Sequence, residues 1–488
     1  MQSLSLHRPS ILTKQLKLQD TSGHRQLRIS SNLLDLFGFH TGIPYQRRVL
    51  GPCAGFELTT TNTSRTHVSS RRYRTRRNNP RETLIHERCQ SFLDSAVPRF
   101  ADHVHLTIRP NSIIGRPIAP RTFSITRSIR DTKTPLEAIC SLSSGIDARI
   151  CREAGFALQA LIERRPPEKH DRGRDLTETG IVTALANQHF RVVVNEDIYT
   201  LNFDRLKSLL EDQPPVALLT ACPVCDDHTG IKAPGTHAKQ KAEDPLYTCS
   251  DMFYEVLRLV ETLQPAVVWI ENVPGWLSHP SGQFTLLKLR RWGYFISEGI
   301  YDPRDHGGIT SRRRAQIVAS VFPGFEPPTP LPRPAEGTVW RLIEDQIPFC
   351  RDVSHTKSLQ KGTSRLASGI SQGSARLITP SSAYAPTILK SQARQAADSI
   401  FIHTPDGRYL LPNETVLRRL IGLDDDFQLN GVSAEVATEQ IGQSIDCPLH
   451  RRFADAIRQH LMIQRSTRPI SAGSIDAPPA IGQQLLQL

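Results

Sequence analysis

The sequence VALLTACPVCDDHT, at residues 216–229, joins a short apolar run to a polar segment that contains two cysteines. Such an apolar run is typical of a strand buried on both faces of a parallel sheet. Cys225 therefore follows the carboxyl end of a strand, where α/β enzymes place reactive groups. A second apolar run, residues 266–270, carries Glu271 to the same edge. A thiol and a carboxylate that face each other there predict nucleophilic catalysis with an acid partner.

Similar apolar runs alternate with helical segments from residue 134 to residue 322. This alternation predicts an α/β fold with a doubly wound, mostly parallel sheet. The strands expected in it are Ala138–Leu142, Leu158–Ile162, Arg191–Val194, Val216–Leu219, Ala266–Ile270, Tyr294–Gly299 and Ala315–Val321.

The segments outside this core differ from it in composition. Residues 1–62 contain strand-like runs and glycine turns, which predict a small β-rich domain, whereas residues 63–133 are polar and basic like a linker or arm. Residues 323–400 begin with a proline-rich break and form a short separate region. Residues 401–464 include a compact helical stretch, and residues 465–488 have the composition of a disordered tail.

The chain is strongly basic, with 60 Lys and Arg residues against 48 Asp and Glu residues and a formal net charge of +12. Such a charge favours a polyanionic partner, with nucleic acid first and an acidic membrane second. The residues expected to contact DNA phosphates are Arg71, Arg72, Arg74, Arg76 and Arg77. The alternative for this arginine run is a solvated, disordered arm.

The sequence lacks membrane-spanning and signal segments and lacks a pattern of paired cysteines. No apolar stretch approaches the roughly 20 residues that span a bilayer, and the amino terminus has no signal-peptide core. The nine cysteines are scattered singly apart from Cys222 and Cys225, so no disulfide framework is expected. These two cysteines lack the partners of a zinc site, and no metal is expected. We expect a soluble, cytoplasmic, nucleoid-associated protein with no membrane partner.

The first predicted strand runs into SSGIDA at residues 143–148 and then into a helix. A glycine turn between a strand and a helix brings backbone N–H groups to a ligand, here through Ser144 and Gly145. The chain has no GxGxxG pattern after this strand, so a dinucleotide is not favoured.

Acidic residues end the next two predicted strands. Glu163 is placed to accept hydrogen bonds from ribose hydroxyls, and Asp197 with Ile198 suits an exocyclic amine and an apolar ring face. A glycine turn followed by two such acids favours a nucleoside cofactor without a pyrophosphate. The candidate is S-adenosylmethionine.

The order of these segments resembles the C5-cytosine methyltransferase family over most of residues 134–464. The similar elements are FxGxGG at residues 143–148, PPCQ at residues 223–226, ENV at residues 271–273, QxRxR at residues 310–314, LTxxExxxLQGFPDxF at residues 410–427 and QIGNAV at residues 440–444. The resemblance implies a Rossmann-like fold in which residues 323–400 are a target-recognition region and residues 401–464 complete the catalytic core.

The resemblance also implies an activity, the S-adenosylmethionine-dependent methylation of cytosine C5 in DNA. Cys225 would add to C6 of a flipped-out base, and Glu271 would hydrogen-bond that base. Arg312 and Arg314 would hold the cytosine carbonyl and the surroundings of the thiol. The implied cofactor-binding residues are Ser144, Gly145, Glu163, Asp197, Ile198, Gln443 and Ser444.

Several positions depart from the family's pattern. Ser143 replaces an aromatic residue, and Asp147 and Ala148 replace glycines. Asp226 follows the predicted nucleophile, and a carboxylate beside a thiol raises the pKa of that thiol and slows its attack. Thr310 replaces glutamine in QxRxR, and Gln443 replaces asparagine in QIGNAV.

These departures leave two other functions open: methylation of cytosine in structured RNA such as tRNA, and a catalytically weak fold that binds DNA as a regulator. At the amino terminus, Leu27-Arg28-Ile29-Ser30 and Gly38-Phe39-His40-Thr41-Gly42 weakly resemble the AbrB/SymE-like swapped-hairpin domain. That resemblance implies a dimeric DNA-binding domain, and the alternative is a disordered segment.

Overall fold

The computed structural model describes residues 6–21, 23–76, 81–143, 145–163, 179–225, 249–356, 365–394, 399–429 and 433–466. The described residues up to Ser124 form one compact unit, and those from Ile125 onward form a second. No helix in these ranges is both long and apolar enough to cross a membrane.

The first unit is built mainly from antiparallel strands. They are β1 (Leu12–Lys17), β2 (Gln19–Thr21), β3 (His24–Ser30), β4 (Tyr45–Gly51), β5 (Gly55–Thr60), β6 (Ser69–Arg72), β7 (Arg81–Glu87), β8 (His103–Arg109) and β9 (Ser112–Ile118). One sheet has the order β1-β8-β9-β5-β4 and the other the order β2-β3-β7-β6. A 3₁₀ helix (Leu34–Phe37) and α1 (Gln90–Ala96) join them. The helix α2 (Arg121–Asp131) crosses the division after Ser124, and its buried Ile125 and Ile129 belong to the core of the second unit.

The basic segment at residues 63–133 is folded, contrary to the predicted linker. In β8, Val104, Leu106 and Ile108 are fully buried, while the residues between them are more exposed. They pack in the same core as Leu27 and Phe56 from the predicted small domain. A strand with one buried face needs an apolar residue only at every second position, so its mean hydropathy is low and resembles that of a linker.

The second unit contains a large sheet with the order β12-β11-β10-β13-β14-β16-β15. Its strands are β10 (Glu137–Ser141), β11 (Ala157–Ile162), β12 (Val192–Val194), β13 (Val216–Ala221), β14 (Val267–Asn272), β15 (Phe295–Tyr301) and β16 (Arg314–Ser320). Only β16 runs antiparallel to its neighbours, β14 and β15. The predicted doubly wound, mostly parallel sheet is confirmed, and each predicted strand lies within two residues of the observed one.

Helices connect and cover this sheet. They are α3 (Ile146–Glu153), α4 (Thr179–Asn187), α5 (Phe203–Leu210), α6 (Met252–Leu263), α7 (Pro274–Ser278), α8 (Pro280–Arg291), α9 (Thr338–Ile343), α10 (Arg365–Ser371), α11 (Glu414–Leu420), α12 (Ala434–Gln443) and α13 (Cys447–Ser466). Short 3₁₀ helices occupy Pro303–Asp305, Glu344–Phe349 and Lys390–Arg394. The chain leaves β10 for β11 and β12 and returns to β13 on the other side of β10. The carboxyl ends of β10 and β13 therefore form the switch point at which open α/β sheets bind ligands.

A separate small sheet has the order β17-β20-β19-β18, formed by β17 (Arg351–Asp352), β18 (Leu377–Ile378), β19 (Phe401–His403) and β20 (Tyr409–Leu411). Two of its strands come from beyond residue 400, so this sheet crosses the boundary predicted there between the recognition region and the return segment. The reason is strand pairing, because Ile402 pairs with Leu410 and Phe401 packs against Val353 in a core of its own.

Candidate active site

Cys225 lies four residues beyond β13, at the end of a loop segment, residues 222–225, that is held from two sides. The backbone N–H of Val224 contacts Sδ of Met252 at 3.4 Å, and Asn272 Nδ2 donates to the carbonyl of Pro223 at 3.0 Å. The second contact joins the loop to the end of β14, which carries Glu271. Cys225 is half-buried and forms no disulfide.

The neighbouring thiol of Cys222 differs from Cys225 in its surroundings. Burial raises the pKa of the Cys222 thiol well above its ordinary value, and the nearby acids Glu271 and Asp147 raise it further. These surroundings disfavour the thiolate form of Cys222, and Cys225 remains the candidate nucleophile that the sequence predicts. The acidic neighbours of Cys225, Asp226 and Asp227, lie outside the described residues. In those residues no group of three metal-ligating side chains is present.

Glu271 is the last but one residue of β14 and is held from the adjacent strand. Arg314, the first residue of β16, places Nε 2.9 Å from Glu271 Oε1. Burial raises the pKa of the Glu271 carboxyl, and Arg314 and Arg312 oppose that rise. A buried carboxyl balanced in this way is suited to holding a proton on a ring nitrogen and releasing it again.

Arg312 is 5% exposed and is anchored by backbone carbonyls. Its Nη1 donates to the carbonyls of Ile388 and Gly442, each at 3.1 Å. Its Nε is buried and has no hydrogen-bond partner among the described residues. Burial lowers the pKa of Arg312 most, the Arg314 charge lowers it further, and the Glu271 and Cys225 charges counteract these effects. The other three residues predicted to be catalytic, Cys225, Glu271 and Arg314, thus lie within electrostatic reach of Arg312.

The turn between β10 and α3 has the backbone geometry that requires glycine. Gly145 has φ +91°, and a Cβ there would lie 2.7 Å from Cα of Ala184 in α4. Leu142 before it is also left-handed, with φ +59°. Ser144, the other residue predicted in this turn, lies outside the described residues. The glycine therefore allows the turn to pack closely against α4 at the carboxyl edge of β10.

The predicted acidic positions follow the neighbouring strands in turn. Glu163 directly follows β11, and its N–H donates to the carbonyl of Val194 in β12 at 3.0 Å. Asp197 lies beyond β12, where Oδ1 accepts from the N–H of Tyr199 at 3.0 Å, and Ile198 is fully buried beside it. The glycine turn, Glu163 and Asp197 thus lie at the carboxyl ends of three adjacent strands, β10, β11 and β12.

Gln443 and Ser444 lie at the carboxyl end of α12, and α12 is linked to the β10–α3 turn through α4. Gln443 is exposed, and the buried Ser444 hydroxyl donates to the carbonyl of Ile441 at 2.8 Å. The same helix contacts α4 through a hydrogen bond of 3.1 Å from Thr183 Oγ1 to Gln440 Oε1. Since α4 also packs against Gly145, α12 reaches the neighbourhood of the turn.

The sequence did not point to Asp446 as a site residue. Its Oδ2 accepts a hydrogen bond of 2.8 Å from the hydroxyl of Thr310, and burial raises the pKa of Asp446 to about 6. The Asp446 charge also acts on Arg312. The replacement of glutamine by Thr310 was the only sequence signal, because the two partners are 136 residues apart.

The arginines predicted to bind DNA lie in the first unit. Arg71 and Arg72 are exposed on β6, the edge strand of its sheet, and Arg74 is exposed in the turn that follows. The ring of Tyr73 contacts the guanidinium groups of Arg71 and Arg76 at 4.8 and 3.8 Å from its centroid. Arg77 lies outside the described residues.

The large sheet of mostly parallel strands is consistent with a Rossmann-like methyltransferase fold. A sequence profile described as C-5 cytosine-specific DNA methylase matches residues 188–459, which is more than half of the chain. The chain belongs to that family.

The relatives it matches are similar over part of their length. The type II methyltransferase M.MspI of a Moraxella species is 26% identical over 217 residues, which cover 43% of this chain and 50% of that protein. The type II methyltransferase M.Bsp6I of Bacillus sp. (strain RFL6) is 25% identical over 228 residues, or 43% of this chain and 71% of that protein. The chain therefore spans about half the length of the first of these relatives.

A solved structure of the Entamoeba histolytica methyltransferase EhMeth is similar in fold. It covers 67% of this chain and 99% of its own, with a TM-score of 0.51 and 15% identity. At this identity the likeness extends to the fold alone.

Proposed function

We propose that this protein transfers a methyl group from S-adenosylmethionine to C5 of cytosine in DNA. The observation that carries the proposal is the convergence of Cys225, Glu271, Arg312 and Arg314 at one edge of the sheet, with Glu271 ion-paired to Arg314 at 2.9 Å. A thiol, a proton-holding carboxyl and two guanidinium groups are the functional groups that addition to a pyrimidine ring requires.

The residues along β10, β11 and β12 fit the proposed cofactor. Gly145 gives the turn its left-handed backbone, Glu163 and Asp197 offer carboxylate oxygens at the ends of β11 and β12, and the apolar Ile198 packs beside Asp197. These groups suit a ribose, an amino group and an adenine ring. We assign cofactor contacts to these four residues and to Gln443 and Ser444. When bound, the cofactor supplies the methyl group that C5 receives.

The reaction on the base is assigned to residues of this chain. The Cys225 thiolate forms a bond to C6, which makes C5 nucleophilic, and the nearby Arg312 charge favours the thiolate form. Glu271 holds a proton at N3 while charge develops on the ring. The unsatisfied Nε of Arg312 is available to the cytosine carbonyl. After methylation, loss of the C5 proton and cleavage of the sulfur–C6 bond restore the aromatic ring and the thiolate.

The charge distribution supports DNA contact by the first unit. The first 124 residues contain 19 of the 60 Lys and Arg residues and 7 of the 48 Asp and Glu residues. They therefore carry a formal charge of +12, equal to that of the whole chain, and the remaining residues sum to zero. We assign phosphate contacts in this unit to Arg71, Arg72, Arg74, Arg76 and Arg77.

Covalent trapping tests the proposal. The full-length chain is incubated with S-adenosylmethionine and a duplex that contains 5-fluorocytosine, from which the C5 substituent cannot leave as a proton. We expect an adduct that resists denaturation, is absent in Cys225→Ser and persists in Cys222→Ser. An adduct that forms on a structured RNA and not on DNA would assign the RNA reaction. Salt-sensitive DNA binding without an adduct on either nucleic acid would assign the regulator.

A further inference from the structure

Asp147 is a buried carboxylate in the first turn of α3, at a position where the family's glycine-rich element has glycine. It is 3% exposed. Oδ1 accepts from the N–H of Ala148 at 2.7 Å and from the hydroxyl of Ser143. Oδ2 accepts from the hydroxyl of Thr220, in β13, at 2.6 Å. The same substitution that removes the family's aromatic residue, Ser143, thus provides a donor to this carboxylate.

The charge of Asp147 is not matched by a cation in the part of the chain that the structure describes. Its hydrogen-bond donors are two hydroxyls and one amide, and no Lys, Arg or His there forms an ion pair with it. Burial raises the pKa of Asp147, and the hydrogen bonds from Ser143 and Thr220 oppose the rise. Donors of this kind favour the carboxylate form without neutralising it.

Asp147 is hydrogen-bonded both to Ser143 in the turn after β10 and to Thr220 in β13, the strand that leads to Cys225. Its partner Thr220 is five residues before Cys225 on the same strand and loop. Its charge raises the pKa values of Cys222 and Glu271, so it acts electrostatically on both. A methyl donor bound at the turn must place its sulfur on this side to reach the carbon next to the one that Cys225 attacks.

We propose that Asp147 selects the cationic sulfonium form of the cofactor over the neutral thioether that remains after transfer. The inference rests on the proposed cofactor and adds a residue that discriminates substrate from product by charge. The two molecules differ by one methyl group and one positive charge. An unmatched carboxylate in a site of low dielectric attracts the cation more strongly than the same carboxylate would in water.

The alternative role for Asp147 is a lock that ties the turn to β13 through hydrogen bonds. A lock would stabilise the turn for every ligand equally, whereas a charge selector would act on cationic ligands alone. Variants that separate the two roles are available. Asp147→Asn removes the charge and keeps the size, whereas Thr220→Val removes one hydrogen bond and keeps the charge.

Isothermal titration of the full-length chain tests the inference with three ligands: S-adenosylmethionine, sinefungin, which carries an amine cation in place of the sulfonium, and S-adenosylhomocysteine, which is neutral there. We expect Asp147→Asn to weaken the binding of the two cationic ligands about tenfold. The binding of the neutral S-adenosylhomocysteine should weaken less than about threefold. Thr220→Val keeps the carboxyl group and its other two donors, so it should weaken the binding of the two cationic ligands less than Asp147→Asn does. Asp147→Gly restores the family's glycine and is a second charge-free variant, for which the same loss of preference is expected.

Equal weakening of the three ligands by Asp147→Asn, or no change in any of them, overturns the inference and leaves the proposed cofactor intact. Wild-type protein that binds none of the three overturns the proposed cofactor and the inference with it. Since binding is read without turnover, neither result depends on methyl transfer.

Discussion

Arg314 Nε lies 2.9 Å from Glu271 Oε1, and the two side chains are 13% and 12% exposed. The pair joins the first residue of β16 to β14, so one strand pairing places both groups beside the Cys225 loop. Removing one charge from a partly buried ion pair costs much free energy, because the other charge is left without a partner. It therefore fixes the position of the carboxyl as well as its protonation.

Glu271→Gln should abolish most of the activity without affecting DNA affinity. The amide keeps the shape of the side chain but cannot hold and release a proton, so the rate of adduct formation should fall by about 10²- to 10⁴-fold. Rapid-quench trapping measures the rate, and anisotropy measures DNA affinity. Glu298→Gln is the matched control, because Glu298 is also a strand residue paired with an arginine, at 3.2 Å, but is more exposed. Equal rates in the two variants would contradict the assigned role.

Gly145→Ala should weaken cofactor binding more than its backbone strain alone explains. The residue has φ +91°, and its new Cβ would lie 2.7 Å from Ala184 Cα. Gly324→Ala is the control, since Gly324 has φ +82° with nothing within 4 Å of its Cβ position. Both variants carry a strain of about 1–2 kcal/mol. Only Gly145→Ala should reduce S-adenosylmethionine affinity by calorimetry, and an intact affinity would remove the turn from the cofactor site.

Asp446→Asn should stabilise the protein at neutral pH and not in acid. Burial raises the pKa of Asp446 to about 6 from 3.8, so folding favours its protonated form. The wild type therefore loses stability relative to the variant as pH rises from about 4 to about 6, and the difference is constant above that. The difference in unfolding free energy between the variant and the wild type has an upper limit of about 3 kcal/mol. Urea unfolding of both proteins at pH 4, 5, 6 and 8 measures this difference in stability. A difference that does not change with pH would disprove the prediction.

Replacing Arg71, Arg72 and Arg74 together by Ala should weaken DNA binding and flatten its salt dependence. Each lost phosphate contact reduces the slope of log K against log salt by about 0.9. Binding of S-adenosylmethionine should be unchanged. The matched control is Arg205→Ala, an exposed arginine of the second unit, whose residues sum to zero charge. An unaltered slope in the triple variant would show that these arginines do not contact phosphates.

The local pattern of apolar residues was sufficient to locate the strands of the large sheet. Parallel strands buried on both faces are continuous apolar runs, which stand out from any surrounding sequence. The order of short motifs placed Cys225, Glu271, Arg312 and Arg314 at strand ends that later proved to be adjacent. The strands of the first unit were harder to predict, because strands such as β8 bury one face and contain many polar and basic residues.

The pairs that set the electrostatics were decided by the tertiary structure. Asp147 meets Thr220 across 73 positions, and Thr310 meets Asp446 across 136. Taken alone, each of these residues either departs from the family's sequence pattern or is an ordinary polar residue. The sheet order brings each pair together and removes it from water. The sequence by itself therefore determined the fold and the chemical groups of VALLTACPVCDDHT and its partner strands. Burial and long-range hydrogen bonding, which depend on packing, decided how the pKa values of Asp147 and Asp446 are shifted.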